Sequence, residues 1–170
     1  MILKVLRKQY NSDMCFVCGI SNQFGLHTHF YELENKTVVG LFKGQDIHQS
    51  YPKRMHGGIV AAMLDETIGR TIQTYDDQVW GVTIDFQIRY YKPVPLDKEL
   101  KVVGKITSNR SKIFEGEGYI CDEDNQILAR SKGRYLRQKV DKIVDDIDFV
   151  EEKWIFLDDD IMPKSFDLPE

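Results

Sequence analysis

The sequence predicts an α+β fold in which one antiparallel sheet of about six strands curls around one central helix. Three observations lead there. Residues 56–75, HGGIVAAMLDETIGRTIQTY, form the longest helical pattern in the chain, and Ile59 to Leu64 are apolar all round, so that helix is expected to be enclosed. Two strand-like segments precede it and four follow, without the strand–helix alternation that a parallel sheet requires. Gly116 and Gly118 share one face of a late strand, and Ala129, Ser131 and Gly133 share one face of the next. Small residues so placed let another backbone come close, and the helix is the natural occupant.

The chain has 170 residues, enough for one domain with a real core. It divides into an N-terminal helix or extension (1–14), the helix-and-sheet domain (15–139) and an acidic C-terminal appendage (140–170). A net charge of −4 gives no general case for nucleic acid or membrane binding. Lys4, Arg7 and Lys8 interrupt the first apolar stretch, so neither a signal peptide nor a membrane span is expected. Three cysteines are an odd, small number, as expected of thiols in a reducing cytoplasm.

In order along the chain, Ile2–Tyr10 reads as one short amphipathic helix. Cys15-Phe-Val-Cys18-Gly19 follows, then His27 and His29. All four are zinc-ligand types, but their spacing matches no common finger, so packed structural thiols and no metal are expected. Leu26–Leu33 and Thr37–Lys43 flank Glu34-Asn35 as a hairpin. The loop 44–55 carries His48, Gln49, Ser50, Pro52, Lys53 and Arg54. After the helix, Val79–Tyr91 alternates, with Val82, Ile84, Phe86, Ile88 and Tyr90 on one face and Thr83, Asp85, Gln87, Arg89 and Tyr91 on the other. Lys92-Pro93-Val94-Pro95 ends that strand. Three more strands are predicted near Glu99–Thr107, Lys112–Cys121 and Gln126–Arg137. The tail carries Trp154, Ile155 and Phe156, expected to dock it, and Asp158-Asp159-Asp160, expected to be solvated.

The helix carries the candidate functional residues. Gly57 and Gly58 fall in its first turn, where backbone N–H groups lack intrahelical partners and the absence of side chains admits a ligand. Glu66 has Arg70 at i+4, the spacing of an ordinary surface ion pair. Asp65 has Ala61 and Ala62 behind it and Ile68 and Gly69 ahead, an apolar face with no cation. A carboxylate there is desolvated and its pKa is expected to rise, as suits a base or nucleophile. A buried Asp satisfied by backbone donors fits the same pattern.

HGG opening a helix, with an acid nine residues after the His, resembles the hotdog-fold acyl-CoA thioesterases of the PaaI-like kind. CFVCG with Gly25-Leu26, HGGIVAAMLDETIG and RYYKPVP carry the resemblance, which runs from about Cys15 to Leu136. It implies hydrolysis of an acyl-CoA to free acid and coenzyme A. It also implies that Gly57 donates its N–H to the thioester oxygen, that Asp65 activates water or attacks directly, and that Thr83 supports Asp65. His56, with Gly58, shapes the helix start. Two departures stand out: many relatives have Gly where this chain has Lys53, and some have Asn where it has Ser50, beside Gln49.

No metal or redox cofactor is implied. Cations are expected at the mouth for the phosphates of coenzyme A, and Arg110, Lys112, Lys53 and Arg54 are the candidates. A hotdog domain that binds acyl-CoA without cleaving it is the alternative, although such a binder gains nothing from a desolvated acid. Gly57 and Asp65 lie eight positions apart, roughly 12 Å along a helix axis, too far for one carbonyl to meet both. A homodimer, or a dimer of dimers, is therefore expected, with an antiparallel second helix closing the gap.

Overall fold

The computed structural model describes residues 1–144 and 162–169. Its strands are β1 (Ile2–Lys8), β2 (His29–Leu33), β3 (Val38–Lys43), β4 (Val79–Tyr90), β5 (Glu99–Asn109), β6 (Ile113–Cys121), β7 (Ile127–Lys139) and β8 (Ser165–Asp167). They form one eight-stranded sheet in the order β4-β7-β6-β5-β3-β2-β1-β8, with neighbours antiparallel. The helix α1 (Gly57–Arg70), extended by a 3-10 turn at Thr71–Thr74, packs against β3 to β7. The α+β architecture is thus as the patterning predicts. Among the described residues no helix is long and apolar enough to cross a membrane.

The sheet is larger than the expected six strands because both chain ends join it. The helix expected over residues 2–10 is instead the strand β1. Nine residues make a marginal helix in water, whereas the edge of β2 offers a ready ladder. A register shift between Val5 and Arg7 breaks the period-2 alternation there and leaves Leu6 exposed, which is why the apolar spacing looks helical. From the tail, β8 pairs with β1. The docking expected of Trp154, Ile155 and Phe156, and the acid run 158–160, lie outside the described residues.

Alternation along the strands separates two cores. Phe30, Val38 and Val102 pack toward α1 with Val60, Met63 and Leu64. Their neighbours Tyr31, Val39 and Val103 point to the other face and are covered by Leu3, Phe166 and Leu168. At the far end of α1, Ile68 and Ile72 pack with Val79, Phe114 and Tyr135.

Gly116 of β6 lies against the helix as the small-residue pattern predicts, and Gly104 of β5, outside that pattern, does the same. A Cβ at Gly104 would meet the Thr67 carbonyl oxygen at 3.0 Å, and one at Gly116 would meet Ile68 Cγ2 at 2.5 Å and Lys105 O at 2.9 Å. Gly116→Ala should therefore cost about 1–3 kcal/mol by overpacking a face that cannot retreat. Urea unfolding reads this as a lower midpoint at unchanged slope; an unshifted midpoint would mean that the helix is not held this close.

Candidate active site

The site is built where β4 and β7 pass under the middle of α1. Thr83 Oγ1 donates toward Asp65 Oδ1 and Oδ2, at 3.0 and 3.1 Å. Tyr135 Oη lies 3.0 Å from Asp65 Oδ1 and 3.3 Å from the Asp65 carbonyl oxygen. The carboxylate is half-buried, and desolvation pushes its pKa above the ordinary value. The hydroxyls of Thr83 and Tyr135 oppose that rise by stabilising the charged form, and the Glu66 charge adds to it. Tyr135 is itself raised, first by burial and then by the Asp65 charge, so it stays a donor.

A β-bulge makes this arrangement possible. In the ladder with β7, Thr83 pairs with Tyr135 and Asp85 with Arg134, which leaves Ile84 as the extra residue. Strict alternation would put Thr83 on the opposite face from Phe86. With Ile84 inserted, Thr83 reaches Asp65, Phe86 and Ile88 pack in the core, and Ile84 is 51% exposed. The alternating faces read from the sequence therefore hold only after residue 85. Tyr135 escaped sequence reasoning. Its one signal is Gly133, two residues before it on the same strand face, where a Cβ would come within 2.5 Å of Tyr135 Oη. The glycine clears the space over which the ring lies.

At its start, α1 is capped by His56, whose Nδ1 accepts from the Gly58 N–H at 2.9 Å. That leaves the Gly57 N–H in the first turn, and no described residue accepts from it. Tyr90 Oη donates to the Gly57 carbonyl at 2.6 Å and so ties this turn to β4. The preceding loop is pinned by buried His48. Its Nδ1 accepts from the Gln45 N–H, its Nε2 lies 2.9 Å from Phe24 O, and its carbonyl accepts from the His56 N–H.

Gln49 and Ser50 form the turn that precedes the helix. Gln49 Oε1 accepts from the Lys53 N–H at 2.8 Å, and the Ser50 N–H donates to Arg54 O. Lys53 has φ of 62°, the left-handed region that favours glycine, which gives a physical reason for Gly at this position in the resembling family. Lys53 and Arg54 are exposed beside the start of α1. Arg110 and Lys112 are exposed in the β5–β6 turn at the other end. There Ile113 and Val82 both pair with Leu136, and Gly81 lies against Gly69 late in α1. One chain does not bring the four cations together.

The second acid is not the surface ion pair that its spacing predicts. Arg70 is 5% exposed and lies 2.9 Å from Glu66 Oε1. It also donates to Tyr10 O and Cys18 Sγ, each at 3.0 Å, and sits over the Phe30 ring. The first twenty residues fold over this side of α1, which the helix pattern alone does not reveal. His27 and His29 do not join Cys15 and Cys18. Among the described residues the only cluster with metal-ligand spacing is Cys15, Cys18 and Glu66.

The fold has known counterparts. Residues 53–129 match the family described as Thioesterase superfamily. This stretch belongs to the thioesterase superfamily. A solved thioesterase superfamily protein aligns with a TM-score of 0.66 at 25% identity, covering 72% of this chain and 59% of that one. This chain therefore spans 59% of that relative's length. A hypothetical thioesterase protein from Streptococcus pneumoniae, solved with coenzyme A, aligns at 0.56 and 19% identity, covering 61% of this chain and 82% of that one. The E. coli PaaI protein from the phenylacetic acid degradation operon aligns at 0.60 and 12% identity, covering 66% and 80%. The thioesterase-superfamily fold is the hotdog, with α1 as its central helix.

The hydroxyl pair makes a checkable claim about Asp65. Thr83→Ala and Tyr135→Phe each remove a bond that favours the charged form, so each should raise the Asp65 pKa further. A carbon-detected NMR titration of the carboxyl reads the direction. A downward shift in either variant would show that the bond does not hold the charged form.

Proposed function

We propose that this protein hydrolyses an acyl-CoA thioester, with Asp65 as base or nucleophile and the Gly57 N–H as the donor to the carbonyl oxygen. The observation that carries the reading is a desolvated carboxylate, held by two hydroxyls, within a thioesterase-superfamily motif. In the tetrahedral transition state the thioester oxygen becomes anionic. A fixed N–H at a helix start meets that charge without reorganising. The Asp65 carboxylate takes a proton from water or adds to the carbonyl carbon itself, and the thiol of coenzyme A leaves. Thr83 and Tyr135 position Asp65 from below. His56 acts through the helix cap, since its Nδ1 already accepts from Gly58.

Two copies complete the site. Gly57 and Asp65 stand roughly 12 Å apart along one helix, beyond the reach of a single carbonyl. β4 is a twelve-residue strand at the sheet's edge, and a long edge strand is a template for pairing with another chain. Two β4 edges joined antiparallel would set the two α1 helices side by side, Gly57 of one copy near Asp65 of the other. Lys53 and Arg54 of one copy would then share a mouth with Arg110 and Lys112 of the other, where the phosphates of coenzyme A enter. The cytoplasm, with its acyl-CoA pool, is the compartment proposed.

Thiol release from a panel of acyl-CoAs should be detected with the wild type and fall at least about 100-fold in Asp65→Asn. Normal turnover in Asp65→Asn with loss in Glu66→Gln would move the role to the second acid, and binding of acyl-CoA without thiol release by the wild type would favour the non-catalytic reading.

Complementation tests the shared site. Gly57→Pro removes the N–H, and proline is accepted in a first helical turn. His56, at φ −62° and ψ 134°, already has the extended conformation that a following proline needs. Each mutant homodimer should be nearly inactive. Random mixing of Asp65→Asn and Gly57→Pro chains should restore about a quarter of wild-type turnover, through hybrids with one intact site. Verified hybrids of folded chains that recover nothing would exclude the shared site.

A further inference from the structure

The CxxC of the N-terminal loop takes no part in thioester chemistry, yet the structure gives it a specific setting. Cys15 Sγ, Cys18 Sγ and a Glu66 carboxylate oxygen lie within 4.8 Å of one another. Cys15 is half-buried and Cys18 is 1% exposed. Arg70 Nη2 donates to Cys18 Sγ at 3.0 Å, and Ser12 Oγ lies 3.6 Å from the same sulfur. Cys15 Sγ donates to Glu66 at 3.6 Å and accepts from the Val17 and Cys18 N–H groups at 3.3 and 3.5 Å. One sulfur therefore faces the exterior and a carboxylate, and the other sits inside against a guanidinium.

A divalent metal is the first ligand such a cluster suggests, and Arg70 argues against it. Its guanidinium lies within hydrogen-bonding distance of two of the three candidate ligands, Cys18 and Glu66. A second cation there would be repelled, and the three groups leave a tetrahedral site one ligand short.

We propose that Cys15 and Cys18 form a redox-active dithiol that closes to an intrachain disulfide by exchange with a low-molecular-weight disulfide. The first step belongs to Cys15, the less buried of the two cysteines. It attacks one sulfur of the disulfide RSSR, and its proton passes by way of Glu66 to the departing group, which leaves as RSH. The buried Cys18 thiolate then attacks Cys15 Sγ and expels the second group as RS⁻. Two protein sulfurs lose two electrons, RSSR gains them, and Cys15's proton leaves on RSH.

The electrostatics favour the closing step by Cys18, not the opening attack by Cys15. The hydrogen bond from Cys15 lowers the Cys18 pKa to about 7, with the Arg70 charge helping against burial. Cys15 is raised, first by that same bond, then by burial and Glu66. Cys18 is thus the thiolate poised to close the pair, while Cys15 must give up its proton to Glu66 as it attacks. Closure needs the sulfurs to move from within 4.8 Å to about 2 Å, a shift that one short turn can absorb.

The test uses the full chain in glutathione buffers of increasing oxidised fraction. Samples are quenched in acid, alkylated in denaturant and mapped by mass spectrometry, so the result does not depend on thioester turnover. Cys15 and Cys18 should lose alkylation together, with the loss of two hydrogens from their peptide, and recover on reduction. Cys121, buried on β6, should stay a thiol throughout. Cys15→Ser and Cys18→Ser should each abolish closure, and Cys121→Ser should retain it. Any of three results would overturn the proposal: both thiols remaining alkylatable in fully oxidised glutathione, a glutathione adduct that accumulates without closing, or about one tightly bound zinc per chain in protein purified without chelator. The wild-type map decides even if a serine variant fails to fold.

Discussion

The close approach of α1 to the sheet is the constraint from which the rest follows. A helix normally stands off a sheet by the depth of two side-chain layers. Here Gly104 and Gly116 remove one layer, so Thr67 and Ile68 lie almost on the strands. Close seating buries Asp65 halfway and brings two strand hydroxyls within hydrogen-bond reach of it. At greater separation, water would reach the carboxylate and its pKa would relax toward the ordinary value. The small residues on β5 and β6 and the perturbed acid on α1 are thus one design read at two places.

The bulge at Ile84 belongs to the same constraint. An uninterrupted β4 could offer its alternate residues either to the core or to Asp65, not to both. Inserting one residue lets Gly81 and Thr83 face the half of the helix that carries Asp65, while Phe86, Ile88 and Tyr90 face its start. The cost is one exposed isoleucine. Bulges that re-aim side chains beside active sites are a recurring device, and this one places Thr83 more surely than alternation could.

What was legible in the chain follows the range of the interactions. The enclosed helix, the late strands, the glycine faces and the contrast between Asp65 and Glu66 depend on spacings within a few residues, and those spacings are written in order. Gly57, Asp65 and Thr83 come from a motif whose geometry is mostly one helix and the strand after it. Tyr135 stands seventy positions beyond Asp65, and only the β4–β7 register brings it near. In β1 a register shift imitates a helical period. Arg70 looked like surface because nothing local says that residues 10–18 fold over it. Each miss is a contact made across the fold, where local periodicity carries no information.

Adjacent acids on one helix show how far environment outweighs residue type. Successive side chains on an α-helix diverge by about 100°, so Asp65 and Glu66 face different walls. Asp65 meets hydroxyls, which can stabilise its charge yet supply none of their own, and so it stays above its ordinary pKa. Glu66 meets a buried guanidinium and two sulfurs, a set that holds opposite charges together. A charge paired in this way is costly to break. An acid held only by neutral donors keeps the basicity that proton transfer needs. The difference between the two carboxylates' surroundings is therefore set by which side of α1 the first eighteen residues cover. That segment lies outside residues 53–129, the stretch that carries the thioesterase-superfamily match. Even so, it determines which of the two acids is paired with a cation.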